Sequence, residues 1–450
     1  MKRKGIKWLF MILVCFCGIW IGKQSVYAQT WYVSSQVSDP EGENDGLSED
    51  APFDHFCRLY GRAQEGDTIL LEKGSVFRGE IFYPKEGMTI ATYGEGKSPK
   101  IYGSLDNGAD ATKWTLYYQK DGMKIWKYYR QTCDVGVIHL GGKKYATRVY
   151  SYWNGKKAVC TMNINKAFKV KKELTYDLSF YQDYPKVITN CANDPEYGGM
   201  GALYLRCDSG NPGEVFSSIE FAEGVNKNYY AALIHCDGDN ITIDGITCMY
   251  GNSIGISAGG NGNITIKNCT VGWVGGTPNS YNAGTSDQYG FVPASGEGIR
   301  LDGDYNTCKN CYVHDCFDGG ILVETSDFNK YLTWHTTVQN NKVERCMNGI
   351  YFLVHLIDLK KFTQIATVKY NTIKDCGYGW TSDKNFYFTW GNSMDGGGIN
   401  YDTTEENNKS KITLKGNKIT HSKAMNIFNK KNMDKWMKKH ELTSPNGCRF

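Results

Sequence analysis

The sequence predicts an all-β chain built as a right-handed parallel β-helix, with an inserted β-rich subdomain and a C-terminal capping helix. Three observations lead there. A motif Asn-x-(Ile/Val)-x-(Ile/Val), followed by a second short strand and then Gly-Ile, recurs from about residue 240. It runs from Asn240 to Cys248 with Gly255-Ile256, from Asn263 to Cys269, from Asn310 to Cys316 with Gly320-Ile321, from Asn341 to Cys346 with Gly349-Ile350, from Tyr370 to Cys376 with Gly398-Ile399, and again from Asn417. Its period is short: Ile321 minus Ile299 gives 22 and Asn263 minus Asn240 gives 23, enough for a few short strands with turns, which is one coil of a solenoid. Apolar residues alternate with the period of strands, not helices. A leucine-rich repeat would need a leucine ladder that is missing, and a propeller needs longer blades joined by hairpins. Asparagine at fixed turn positions fits a solenoid, because its side chain bonds backbone groups along the coils.

The chain opens on Met1-Lys2-Arg3-Lys4 and Lys7, runs apolar from Trp8 to Ile21 and reaches small residues at Val26-Tyr27-Ala28. A basic start, a short apolar middle and an A-x-A-like end form the pattern of a secretory signal. A membrane anchor wants about 20 apolar residues. Bulky Val14 and Phe16 precede Cys15 and Cys17, which disfavours a lipoprotein site. The expected division is a signal peptide over 1–28, an N-terminal cap and first coils over 29–103, and a β-rich insertion over 104–230, where the period is lost. The solenoid core with its groove loops follows over 231–421, and a capping helix and tail over 422–450, where Met425, Ile427, Phe428, Met433 and Trp436 mark an apolar stripe. The mature protein is expected to be secreted, free of the membrane and monomeric.

A net charge of +4 with scattered lysines calls for neither nucleic acid nor an anionic membrane. The 16 cysteines of an exported chain would ordinarily suggest disulfides. Here Cys248, Cys269, Cys311, Cys316, Cys346 and Cys376 fall at recurring places within the repeats and show no metal-ligand pattern, so an interior stack of small hydrophobes is favoured. One or two disulfides stay open beside it.

The N-terminal stretch carries Trp31-Tyr32-Val33-Ser34-Ser35, Asn44-Asp45-Gly46-Leu47-Ser48, Pro52-Phe53, Gly66-Asp67-Thr68-Ile69-Leu70-Leu71 and Gly79-Glu80-Ile81. It resembles the opening of secreted pectate-lyase-like (pectin-lyase-like) β-helix enzymes, in which this part caps the solenoid. The aromatic-rich segment after residue 104, with Gly142-Lys143-Lys144 and Ala146-Thr147-Arg148, resembles the β-sandwich-like insertion of several β-helix glycoside hydrolases, although the flanking residues match poorly. The chain as a whole is similar to the β-xylosidase-like and fucosidase/xylanase-like branch, and that resemblance implies carboxylates drawn from successive coils.

Strand alternation locates the same chemistry independently. With the Ile after each glycine pointing inward, the second and fourth residues face out. These are Ser257 on one coil, then Arg300 with Asp302, Leu322 with Glu324, Tyr351 with Leu353, and Asn400 with Asp402. Asp302 and Glu324 occupy equivalent places, since 302 minus 298 and 324 minus 320 both equal 4. Strands about 4.8 Å apart put such carboxylates roughly 5 Å from each other, the separation of about 5 to 5.5 Å used by retaining glycosidases. Their repulsion is expected to keep one protonated near neutrality. Glu297 and Asp318, in the turns before the same strands, extend the candidate catalytic set. Arg300 is a candidate for substrate contact.

Bland readings stand beside these. Exposed acids on a solenoid are often merely solvated, or hold calcium. Asp318 before Gly319-Gly320-Ile321 also fits a turn role, which Asp395 before its own glycines repeats. Two long insertions are expected to wall a groove with sugar-stacking rings: one from Trp273 to Gly296 with Tyr281, Tyr289 and Phe291, the other from Tyr378 to Asn392 with Trp380, Phe386, Tyr387, Phe388 and Trp390. Tyr351, Asn400 and His335 complete the substrate-binding candidates, with His314 and His355 as further histidines. No metal or cofactor is expected, calcium entering only if the chemistry is that of a lyase. The expected function is a retaining glycoside hydrolase on a polysaccharide or oligosaccharide. A polysaccharide lyase or uronate epimerase, and a noncatalytic glycan-binding protein, are the alternatives.

Overall fold

The computed structural model describes residues 28–133, 135–148, 151–153, 158–160, 174, 176–182, 200–224, 232–278, 294–326, 333–355, 363–380, 397–403 and 411–422. Three parallel sheets run the length of the molecule. The first has nine strands, from Thr30–Val33 to Lys411–Lys415; the second has eight, from Val76–Arg78 to Lys418–Thr420. The third has six, beginning at Ala232–His235 and continuing through Ile254–Ser257, Ile299–Leu301, Gly319–Ser326, Asn348–His355 and Gly397–Thr403. From Ala232 onward each coil contributes one strand to each sheet in turn, so every strand there pairs with its counterpart one coil away. Thr242 pairs with Thr265 and Ile299 with Ile321, offsets of 23 and 22.

The repeat's residues form columns inside the solenoid. Ile234, Ile256, Ile299, Ile321, Ile350 and Ile399 stack in the third sheet, all buried in one apolar cluster. The glycine that precedes each of them except Ile234 is steric. A Cβ on Gly255, Gly298, Gly320 or Gly349 would lie 2.4–2.8 Å from the carbonyl oxygen of the equivalent glycine on the next coil.

Cys316, Cys346 and Cys376 lie in one column by register, and Cys269 lies above Cys311 in another. The ten cysteines whose side chains are described are free thiols. Burial pushes Cys248, Cys269, Cys316 and Cys376 well above the ordinary thiol range, so these groups stay neutral and pack as hydrophobes.

Below Cys311 its column changes to Asn341, Asn371 and Asn417, all buried. Each side-chain oxygen accepts the backbone N–H one coil above, at 2.9 Å for both Cys311 and Asn341 and 3.0 Å for Asn371. Each amide nitrogen donates to a backbone carbonyl: Cys308, Val338 and Val368 respectively. Replacing Asn371 by Ala strands buried partners on two coils, and should cost on the order of 2–4 kcal/mol. A melting temperature within a degree or two of the wild type would show the ladder to be dispensable.

The solenoid is interrupted once between Lys100–Tyr102 and Ala232–His235, yet its register runs straight across the gap: Thr242 pairs with Thr89 and Cys248 with Ile101. The intervening chain forms a separate, mostly antiparallel seven-stranded sheet containing Trp114–Lys120, Met123–Cys133 and Met200–Arg206, with its own core around Trp114, Tyr128, Phe180 and Phe221. Arg148, singled out with Ala146-Thr147, is buried inside it and donates to Val135 O at 2.8 Å. Arg78 grips Glu220 through two 2.8 Å bonds, and Arg130 reaches both Asp106 and buried Glu223 at 2.7 and 2.6 Å, tying this sheet to the solenoid. The expected signal peptide, except its last residue, and the capping helix, except Ser422, lie outside the described residues. Among those described, no helix is long and apolar enough to cross a membrane.

Candidate active site

Register sets the outward side chains of the third sheet in rows. His235, Ser257, Arg300, Leu322, Tyr351 and Asn400 share one row. Two residues further along each strand, Glu324 pairs with Leu353 and Leu353 with Asp402. Continuing the pairing of Leu301 with Val323 by one residue sets Asp302 beside Glu324. The row is less open than strand alternation suggests: Ser257, Leu322 and Tyr351 point outward but are buried. Side chains on strands ~4.8 Å apart cover one another, so this face is a sunken floor instead of a solvated surface.

Arg300 is the centre of the charge arrangement. Its Nη2 lies 2.8 Å from Glu324 Oε2 and its Nε 3.4 Å from Asp302 Oδ2. The guanidinium therefore sits between the two carboxylates that alternation pairs, and it offsets the repulsion expected between them. Arg300 organises acids here instead of awaiting substrate alone. Asp302 Oδ1 and Glu297 Oε2 are buried with no hydrogen-bond partner among the described residues.

The carboxyls pushed above their ordinary range are the other two candidates. Burial raises Glu297 to about 8, helped by the charges of Asp318 and Glu324 and opposed by Arg300. Burial also raises Asp318, to about 6, with Glu324 adding to it and a bond from Asn348 opposing it. Asn348 Nδ2 donates to Asp318 Oδ1 at 3.2 Å. The Asp318 backbone pairs with the coils on either side: its N–H donates to Gly296 O, and its carbonyl accepts from Asn348 N.

A raised carboxyl has a stability consequence of definite sign. Glu297 folded holds its proton up to about pH 8, whereas unfolded it loses it near 4.5. Through that window the unfolded chain binds fewer protons, so this residue's contribution falls as pH rises. Glu297→Gln removes the titration. Its melting temperature should gain on wild type from pH 5 to pH 8, by the equivalent of roughly 3 kcal/mol; a gap constant with pH would contradict the buried, proton-holding Glu297.

The turn carrying these acids is sealed by aromatic residues that were expected to stack on sugar. Trp273 and Trp380 are buried in a cluster with Tyr102, Val137, Ala222, Tyr250 and Phe317, where the inserted sheet meets the solenoid. Trp273 stacks on His139, and Trp380 Nε1 donates to Asp315 O at 2.9 Å. The expectation that these two rings offer open platforms is corrected: they close a seam, because the insertion gives them a partner surface that linear sequence does not reveal. Tyr289 and Trp390, with Tyr281, Phe291, Phe386, Tyr387 and Phe388, lie outside the described residues, as do the side chains of Asn400 and His355.

His314 is buried on the second sheet, its Nδ1 2.8 Å from Asp315, and is not part of the carboxylate floor. His335 lies on the first sheet, its Nδ1 2.9 Å from Asp304. His235 is a residue the sequence reading passed over. It shares the Arg300 row, and its imidazole is pushed down by burial while the charges of Asp302 and Asp237 pull it up. The Gly-Ile marker is absent from its strand, Ala232–His235, although counting back 22 from Ser257 reaches it. Among the described residues no group of His, Cys, Asp and Glu is arranged to hold a metal ion.

The chain is a right-handed parallel β-helix: residues 198–356 match the family model described as "Right handed beta helix region". No curated protein matches the sequence. Among solved structures, the complex of XylC with xylose is similar over 85% of this chain and 70% of that one, at 11% identity and a TM-score of 0.34. The GH136 lacto-N-biosidase from Eubacterium ramulus is similar in its selenomethionine form over 92% and 71%, at 12% identity and a TM-score of 0.24. Its native form is similar over 86% and 68%, at 13% identity and a TM-score of 0.23.

Proposed function

We propose that the protein is an exported carbohydrate-active enzyme, a glycoside hydrolase that cleaves a polysaccharide or oligosaccharide with retention of configuration. The observation that carries this reading is the pairing of Asp302 and Glu324 with Arg300 on the outward side of successive coils, with buried Glu297 and Asp318 close enough to feel Glu324's charge. A retaining hydrolase needs one carboxylate to attack the anomeric carbon and a second carboxyl to protonate the departing oxygen and then deprotonate water. Asp302 and Glu324, at equivalent positions on strands ~4.8 Å apart, fit that separation. Glu297 and Asp318 keep protons in reserve at neutral or mildly acidic pH beside them.

The lyase alternative needs a cation to neutralise a uronate carboxylate and a base beside it. Arg300, the cation that would serve, is already held between two acids, which favours hydrolysis. The test is to incubate the purified protein with a panel of polysaccharides and nitrophenyl glycosides and follow the products by NMR. Release of a sugar with its anomeric configuration retained supports the reading. Inverted sugar, or unsaturated products absorbing in the ultraviolet, would overturn it.

A further inference from the structure

The corner that follows Asp302, where the chain passes from the third sheet to the first, carries a largely exposed aromatic ring. Register aligns Asn240, Asn263, Tyr305 and His335 on consecutive coils there. Asn240, Asn263 and Tyr305 all take the left-handed conformation, with φ of 62°, 57° and 55°. Asparagine tolerates this region well, and a bulky aromatic residue does not. Other rings share that conformation, two of them buried and two exposed. Tyr250 and Trp273 are buried, whereas Tyr370 is half exposed over Gly416 and His421 stacks on Tyr378 with centroids 4.5 Å apart.

Tyr305 is set apart by its place: it is 61% exposed and lies three residues beyond Asp302. Its ring stacks on His335 with centroids 4.5 Å apart and planes 10° from parallel. Asp304 fixes that support: its carboxylate accepts from His335 N at 2.6 Å and lies 2.9 Å from Nδ1, while its carbonyl accepts from Asn263 N at 2.7 Å. Beside the ring, exposed Asn263 donates from Nδ2 to Asn240 Oδ1 at 2.7 Å. A strained, solvent-facing ring held flat on a fixed base is a reason to look for a ligand.

We infer that Tyr305, backed by His335 and flanked by the Asn263 and Asn240 amides, is a binding subsite for a sugar residue of a glycan chain whose scissile bond lies at Asp302 and Glu324. The apolar C–H face of a pyranose ring stacks on Tyr305, and the amides bond its hydroxyls. The subsite begins three residues from Asp302 and runs along the coils in steps of ~4.8 Å. It rests on the glycan-processing reading above and adds that the protein grips a chain, not a lone terminal sugar.

The test uses Tyr305→Ala and Tyr305→Trp, both outside the carboxylate floor. Affinity electrophoresis through xylan, arabinogalactan, pectin and mucin identifies a polysaccharide that retards the wild type, and its oligosaccharides then serve as graded substrates. Tyr305→Ala should bind that polysaccharide about five- to tenfold more weakly, with Tyr305→Trp restoring binding. The loss in kcat/KM should grow with oligosaccharide length and vanish on a nitrophenyl monoglycoside. Retardation by none of the four polysaccharides, or equal binding and cleavage of long chains by wild type and Tyr305→Ala, would overturn the subsite. Weakened binding without hydrolysis of any substrate would keep the subsite and remove the hydrolase. Hydrolysis indifferent to Tyr305 at every length would do the reverse.

Discussion

Asp302→Asn and Glu324→Gln are each expected to lower kcat/KM by about 10²–10⁴-fold while leaving the solenoid folded. Both substitutions keep the shape of the side chain and its place beside Arg300, and both remove the ability to attack or to exchange a proton. The two roles separate by leaving group. Removing the general acid is largely masked on an activated aryl glycoside, whose phenolate departs without help, and is severe on an unactivated sugar. Removing the nucleophile is severe on both. The pair of variants assayed on the pair of substrates therefore assigns which carboxylate does what. If both variants retain full activity on a substrate the wild type cleaves, the site lies elsewhere.

Much of this arrangement is legible in the linear sequence because a parallel solenoid converts sequence period into spatial adjacency. A spacing of 22 residues between Ile299 and Ile321 is one coil, and the equivalence of Asp302 with Glu324 follows by counting. The interior cysteines were legible in part for the same reason: they split into two columns, Cys269 with Cys311 and Cys316 with Cys346 and Cys376, while Cys248 falls in register with Ile101 and Val271. Electrostatics was less legible. Like charges at equivalent positions suggested a repelling pair, but Arg300 reaches between them, and where a long flexible side chain ends is not encoded by strand parity. The raised acids, Glu297 and Asp318, owe their shifts to burial in a turn beside the insertion seam, which depends on contacts across unrelated parts of the chain. Trp273 and Trp380 mislead for that same cause: an aromatic residue in a long loop stacks on ligand or on protein according to what the fold brings against it. His235 was missed because its coil lacks the glycine that marks the others.

Arg300→Met should be the most damaging substitution in the site for stability. The guanidinium is three-quarters buried, with side-chain exposure of 24%, and serves two carboxylates whose own exposure is 10% and 15%. Methionine keeps the stem and deletes the charge, leaving Asp302 and Glu324 facing each other beside Glu297 and Asp318. Breaking a largely buried ion pair from one side costs about 3–5 kcal/mol, and partial solvent access places this case near the lower end, at about 3 kcal/mol. The penalty must depend on pH. Without the cation the native state holds protons on its carboxyls at pH values where the unfolded chain has released them. Stability relative to wild type therefore falls as pH rises above the ordinary carboxylate range, and recovers as pH drops below about 4. Thermal melts of both proteins from pH 3.5 to pH 8 read this directly: the curves should converge in acid and separate toward neutrality. Activity should fall with stability at neutral pH, because the four acids lose the charge that holds them ready. Parallel curves across that range would mean that Arg300 stabilises the floor only by packing, and that the acids are poised by burial alone.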